Sequence, residues 1–88
     1  MKIEIYTKPT CGYCIQAKNL LNSKNIPFTE YTVGVQFSKE DIQSRIQSMG
    51  LSDQVKTVPQ IFYTDKNNKT TYIGGYTDLV AKQSILGS

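Results

Sequence analysis

The chain has 88 residues, 39% of them hydrophobic and 19% charged, which suits one small globular domain over 1–88 that buries roughly 60–65% of its unfolded surface without staples. Its net charge of +3 comes from ten Lys and Arg residues spread from Lys2 to Lys82, too diffuse for a nucleic-acid surface. There is no histidine, which excludes Ser-His-Asp chemistry, His-assisted nucleophiles and His-ligated metals.

Met-Lys-Ile-Glu-Ile enters a strand pattern at once, without the roughly 7–15-residue apolar stretch of a signal peptide, and no window approaches a membrane span. A soluble, cytoplasmic protein is the expectation. Over 2–6, Ile3 and Ile5 alternate with polar residues, so this is the first strand, ending near Pro9. The loop Lys8-Pro9-Thr10 then delivers Cys11-Gly12-Tyr13-Cys14, which holds both cysteines of the chain. From Tyr13 to about Asn25, Cys14, Ala17, Leu20 and Leu21 recur at helical spacing, and Pro27 stops the helix.

A strand feeding a helix through this turn sets the first sulfur at the helix N-terminus, where unpaired N–H groups and the macrodipole favour a thiolate. Cys11 is thus the expected nucleophile, and Cys14, one turn further in, the thiol that resolves a mixed disulfide formed on Cys11. A bridge across so short a loop constrains the unfolded chain weakly, and disulfide-dependent secreted domains of this size usually carry four or more cysteines. The pair therefore reads as redox chemistry in a reducing compartment. A zinc site would need two more Cys or His ligands that the chain lacks.

Phe28 to Val33 alternates as a second strand, and Gly34 opens a loop. Ser38-Lys39-Glu40-Asp41 matches a capping box, and Ile42, Ile46 and Met49 form a helical stripe ended by Gly50. A helix between two strands implies a right-handed crossover with those strands parallel. The irregular connection 50–56 leads through Thr57-Val58-Pro59 into a third strand, Gln60 to Thr64. Asp65 to Asn68 turns it onto a fourth, Thr71 to Ile73. Gly74-Gly75 breaks that strand, Thr77 offers an N-cap, and Leu79, Val80, Ile85 and Leu86 make the apolar side of a closing helix. The expected fold is α/β, β-α-β-α-β-β-α, with a four-stranded mixed sheet between helices.

Three separated motifs, Lys8 to Cys14, Thr57-Val58-Pro59-Gln60-Ile61-Phe62 and Gly74-Gly75-Tyr76-Thr77-Asp78, together resemble a dithiol glutaredoxin of the thioredoxin-like fold over nearly the whole chain. The resemblance implies a glutathione-dependent oxidoreductase that reduces protein–glutathione mixed disulfides and protein disulfides, ribonucleotide reductase being a family-level partner. It implies a cis Pro59 that exposes the backbone of Val58 opposite Cys11, to pair with the cysteine of glutathione. Gly75, Tyr76, Thr77 and Asp78 would take the γ-glutamyl end, Lys8 and Lys56 the glycine carboxylate, and Tyr13 would line the groove beside Thr57, Val58 and Pro59. A monomer that engages neither nucleic acid nor membrane is expected, with no metal.

Two departures from the family pattern stand out. Gly12 replaces the commoner proline, which loosens the turn and raises a second reading, a glutathione-ligated [2Fe-2S] dimer using Cys11. The connection 50–56 is longer than in the compact form and borders the implied groove. A thioredoxin-like donor served by a flavoenzyme reductase is a further alternative, for which Lys8, Lys56 and the Gly75 to Asp78 motif would have no purpose.

Overall fold

The computed structural model describes residues 2–52, 55 and 58–85. In chain order these form β1 (Lys2–Thr7), α1 (Gly12–Ser23), β2 (Phe28–Thr32), α2 (Lys39–Ser48), β3 (Gln60–Thr64), β4 (Thr70–Gly74) and α3 (Tyr76–Lys82), followed by a 3-10 turn, Gln83–Ile85. The four strands make one sheet in the order β2-β1-β3-β4, with β1 parallel to β2 and antiparallel to β3, and β3 antiparallel to β4. The expected α/β architecture, including the parallel first pair, is the one observed.

Alternation along the strands divides the interior into two apolar layers. Ile3, Ile5, Ile61 and Ile73 join Ala17 and Leu21 of α1 and Leu79 of α3 on one face. On the other face Tyr6 and Phe62 join Ile42 and Ile46 of α2, with Val55 from the connection that follows. Each fully buried Ile or Leu contributes about 1.5–3 kcal/mol relative to exposure.

Glu4, at an alternating polar position of β1, thus faces a second layer and not solvent, so it needs a partner. Arg45 of α2 supplies it: its guanidinium donates to Glu4 Oε1 at 2.7 Å and to the Tyr6 hydroxyl at 3.0 Å, and lies 4.2 Å over the Phe62 ring. The Arg45 hydrogen bond, working against burial, holds the Glu4 carboxyl below its ordinary range. A second ion pair joins layer to sheet at the other edge. Glu30 Oε2 accepts from the Thr7 hydroxyl at 2.6 Å and from Lys18 of α1 at 2.9 Å, and these bonds, the Thr7 one foremost, lower its pKa.

Helix ends follow their local chemistry. Asn25, at φ 56°, closes α1: Ile26 N–H reaches back to Leu21 C=O and Asn25 N–H to Asn22 C=O, with Ile26 entering the core ahead of Pro27. Gly50, at φ 80°, closes α2 with the same pair of bonds, Leu51 to Ile46 and Gly50 to Gln47. The Ser38–Asp41 capping box is present in both directions, 3.1 and 2.8 Å. In the β3–β4 hairpin the Asp65 carboxylate accepts from the Asn67 and Lys69 N–H groups, with Asn68 left-handed.

The closing helix departs from expectation. Its N-cap is Gly75, two residues before Thr77, because Gly74 turns the chain at φ 112° and the Asp78 carboxylate then accepts the Gly75 N–H at 3.1 Å. Of its apolar residues Leu79 is buried while Val80 is 38% exposed, and the helix gives way to the 3-10 turn before Ile85. Leu86 lies outside the described residues.

Two stability predictions follow from this packing. A carboxylate whose folded pKa is depressed stabilises the fold above its unfolded pKa, and that contribution is lost as pH falls through the folded pKa. Glu4→Gln is expected to cost about 1–3 kcal/mol near neutral pH by urea unfolding, the gap from wild type narrowing as pH is lowered through the Glu4 titration. Gly74→Ala meets both a left-handed φ and a Cβ placed 2.5 Å from Asp78 Oδ2. It is expected to cost about 1–3 kcal/mol, read as a lowered thermal midpoint.

Candidate functional site

Antiparallel register sets three chain reversals at one end of the sheet. Tyr6, near the end of β1, pairs with Gln60 at the start of β3, and Ile61 pairs with Gly74 at the end of β4. The loop leaving β1, the segment entering β3 and the turn into α3 therefore meet, and each carries one of the sequence motifs.

Cys11 is the N-cap of α1. Its backbone is extended, φ −99° and ψ 110°, its N–H is held by Lys8 C=O at 3.3 Å, and its sulfur accepts the Cys14 N–H at 3.0 Å. A sulfur thus occupies the position where Ser or Asp would ordinarily cap a helix. No acidic side chain lies in the first turn of α1, so the helix N-terminus acts on this sulfur unopposed from its own first turn. Cys14 is 1% exposed while Cys11 is half-buried. The two are joined by a disulfide, with Cα atoms 5.2 Å apart.

Opposite Cys11 stands the backbone of Val58, whose carbonyl oxygen is 3.5 Å from Cys11 Sγ. The Val58–Pro59 bond is cis, in keeping with the resemblance, and Pro59 is fully buried. Gly75 lies against this segment: a Cβ there would sit 3.6 Å from the Pro59 carbonyl oxygen, ordinary contact. Tyr13, 61% exposed, stacks on Tyr76 with ring centroids 6.1 Å apart and planes at 27°, so side chains of the first and third motifs meet. Thr77 and Asp78 are exposed in the first turn of α3, and Asp78 is engaged by the Gly75 N–H.

Cys11, Cys14, Tyr13, Val58, Pro59, Gly75 and Tyr76 are thereby brought together. Lys8 is exposed on the loop before Cys11. Lys56 and Thr57 lie outside the described residues. Gly12 is the first residue of α1, without positive φ and with nothing within 4 Å of where a Cβ would be. Neither backbone conformation nor crowding demands glycine there.

Sequence patterns missed two contacts that bear on the site. The Tyr13–Tyr76 stack joins residues far apart in the chain, and Gln43 of α2, whose side-chain oxygen accepts the Val55 N–H at 2.8 Å, reads in the sequence as an ordinary polar helix position. Among the described residues no group of three or more His, Cys, Asp and Glu could hold a metal ion. No helix among them is long and apolar enough to cross a membrane.

The Glutaredoxin family profile matches residues 3–67. Glutaredoxin 3 of Escherichia coli (strain K12) is 40% identical over 79 residues, which cover 90% of this chain and 82% of that protein. The crystal structure of glutaredoxin 1 from Francisella tularensis complexed with cacodylate superposes with a TM-score of 0.73 at 31% identity, over 99% of this chain and 98% of that one. The buckwheat glutaredoxin-glutathione complex shares the fold, with a TM-score of 0.67 at 23% identity over 97% of this chain and 70% of the other. Profile, relatives and fold agree: the chain belongs to the glutaredoxin family, thiol–disulfide oxidoreductases of the thioredoxin-like fold.

Proposed function

We propose that this chain uses glutathione to reduce protein–glutathione mixed disulfides and protein disulfides, with Cys11 as nucleophile and Cys14 as resolving thiol. The observation that carries the reading is the Val58 backbone facing Cys11 Sγ at 3.5 Å, beside Gly75 at the N-terminus of α3. An extended tripeptide disulfide-linked to Cys11 would run along Val58 as a one-residue antiparallel strand. Its γ-glutamyl carboxylate would reach the α3 N-terminus with Tyr76 and Thr77, and its ammonium group Asp78; Lys8 and Lys56 would meet the glycine carboxylate, with Thr57 and Pro59 flanking Val58 and Tyr13 walling the groove. The buckwheat relative, solved as a glutathione complex, supports the choice of ligand.

At an ordinary pKa of about 8.5, only about 3% of a cysteine is thiolate at pH 7. The α1 N-terminus and the Cys14 N–H favour the ionised form of Cys11, and each tenfold gain in ionisation corresponds to about 1.4 kcal/mol. The Cys11 thiolate attacks the glutathionyl sulfur, the target protein leaves as thiolate, and the tripeptide stays on Cys11. A second glutathione thiolate then attacks that sulfur, forming glutathione disulfide and returning the Cys11 thiolate.

With a protein disulfide, Cys11 first captures one substrate sulfur and expels the other as thiolate. Cys14 then attacks Cys11 Sγ, expelling the captured sulfur and leaving the Cys11–Cys14 disulfide. Two glutathiones in succession reopen it and return two electrons to the protein. Burial of Cys14 directs the incoming thiols to Cys11. The chemistry suits a reducing, cytoplasmic setting, and dithiol substrates such as ribonucleotide reductase fit the second route.

A coupled assay on a glutathionylated peptide tests the assignment. Cys11→Ser is expected to lower turnover roughly a thousand-fold or more, whereas Cys14→Ser stays within about three-fold of wild type on this substrate and loses reduction of a protein disulfide. An active Cys11→Ser protein, or turnover supported by a flavoenzyme thioredoxin reductase in place of glutathione, overturns it.

A further inference from the structure

Val58, which faces Cys11, lies between two described fixed points. Downstream, Gln60 is locked into β3 against Tyr6, and its side-chain oxygen accepts the Tyr72 hydroxyl of β4. Upstream, the first described fixed point is Val55, whose side chain is 5% exposed in the layer with Ile42, Ile46 and Phe62 and whose N–H is held by Gln43 Oε1 at 2.8 Å. Three residues of chain reach at most about 11 Å, so where Val55 is pinned limits where Val58 can lie.

We infer that Gln43, on the face of the sheet opposite α1 and α3, is a positioning residue for the reaction: through the Val55 N–H it sets the approach of the Val58 backbone to Cys11. This deepens the glutathione reading above and rests on it for its effect on substrate. An amide oxygen suits the task because it receives a backbone N–H at a protected place without bringing a charge there. Losing it frees Val55 to shift and leaves a buried donor unpaired. The Val58 edge then meets the tripeptide less often in the pairing geometry, which weakens ground-state and transition-state binding alike.

Gln43→Met keeps size and removes the amide oxygen; Gln43→Glu keeps an acceptor. With a glutathionylated peptide, Gln43→Met is expected to raise KM about five-fold with kcat within about two-fold of wild type, and Gln43→Glu to restore KM. A second readout needs no glutathione. In the reduced protein the Val58 carbonyl can accept the Cys11 S–H and so favours the neutral thiol. Its displacement in Gln43→Met is expected to raise the Cys11 acid dissociation constant about three-fold, followed by thiolate absorbance in about 0.5 M salt to screen the charge of the Glu variant.

Val55→Ala keeps the N–H but loosens the same anchor, and is expected to move both quantities in the same direction should Gln43→Met fail to fold. Wild-type KM and thiol ionisation in folded Gln43→Met, or a Gln43→Glu protein no better than Gln43→Met, overturns the inference. A wild-type enzyme that treats a glutathionyl peptide no better than its 2-hydroxyethyl mixed disulfide instead overturns the glutathione reading, and the thiolate titration still decides the role of Gln43.

Discussion

The site depends on the antiparallel pairing of β1 with β3 and of β3 with β4. Because neighbours run in opposite directions, the end of β1, the start of β3 and the end of β4 coincide at one rim of the sheet, and three motifs distant in sequence become one surface. Register carries the precision. A one-residue slip of β1 would exchange Ile3 and Ile5 with Glu4 and Tyr6, sending a carboxylate into an aliphatic layer and two isoleucines onto the Arg45 side. Both layers, including the Glu4–Arg45 ion pair remote from the cysteines, therefore hold Val58 opposite Cys11.

Much of this was legible in the chain because the signals were local. Alternation in Lys2 to Tyr6, the helical stripes of α1 and α2, the Ser38–Asp41 box and the stops at Pro27 and Gly50 each follow from residues within one or two turns of one another. The cysteine motif was legible for the same reason: a strand, a tight turn and a helix start within a few residues of Cys11. Val58 and Pro59 needed family likeness, since nothing in their own spacing says what they face.

Less legible were features decided by other elements. Glu4 reads as a solvent-facing polar residue until α2 covers that side of the sheet and supplies Arg45. Thr77 and Gly75 are comparable intrinsic caps, and the cap falls at Gly75 because Gly74 reverses the strand earlier and Asp78 reaches back to the freed N–H. Tyr13 and Tyr76 each look like an isolated exposed aromatic, and only the packing of α1 beside α3 makes them a pair.

The unequal exposure of the two sulfurs also bears on oxidative damage. A peroxide reaching the reduced molecule meets Cys11 first, and the first product there is a sulfenic acid, still reversible. Cys14, shielded from the same peroxide but with its Cα only 5.2 Å from that of Cys11, can condense with the sulfenic acid and release water before a second oxidation produces the sulfinic form. Burial of one thiol beside the other thus diverts an oxidation that could run on to the sulfinic form at a solitary exposed cysteine into the same disulfide the molecule already forms.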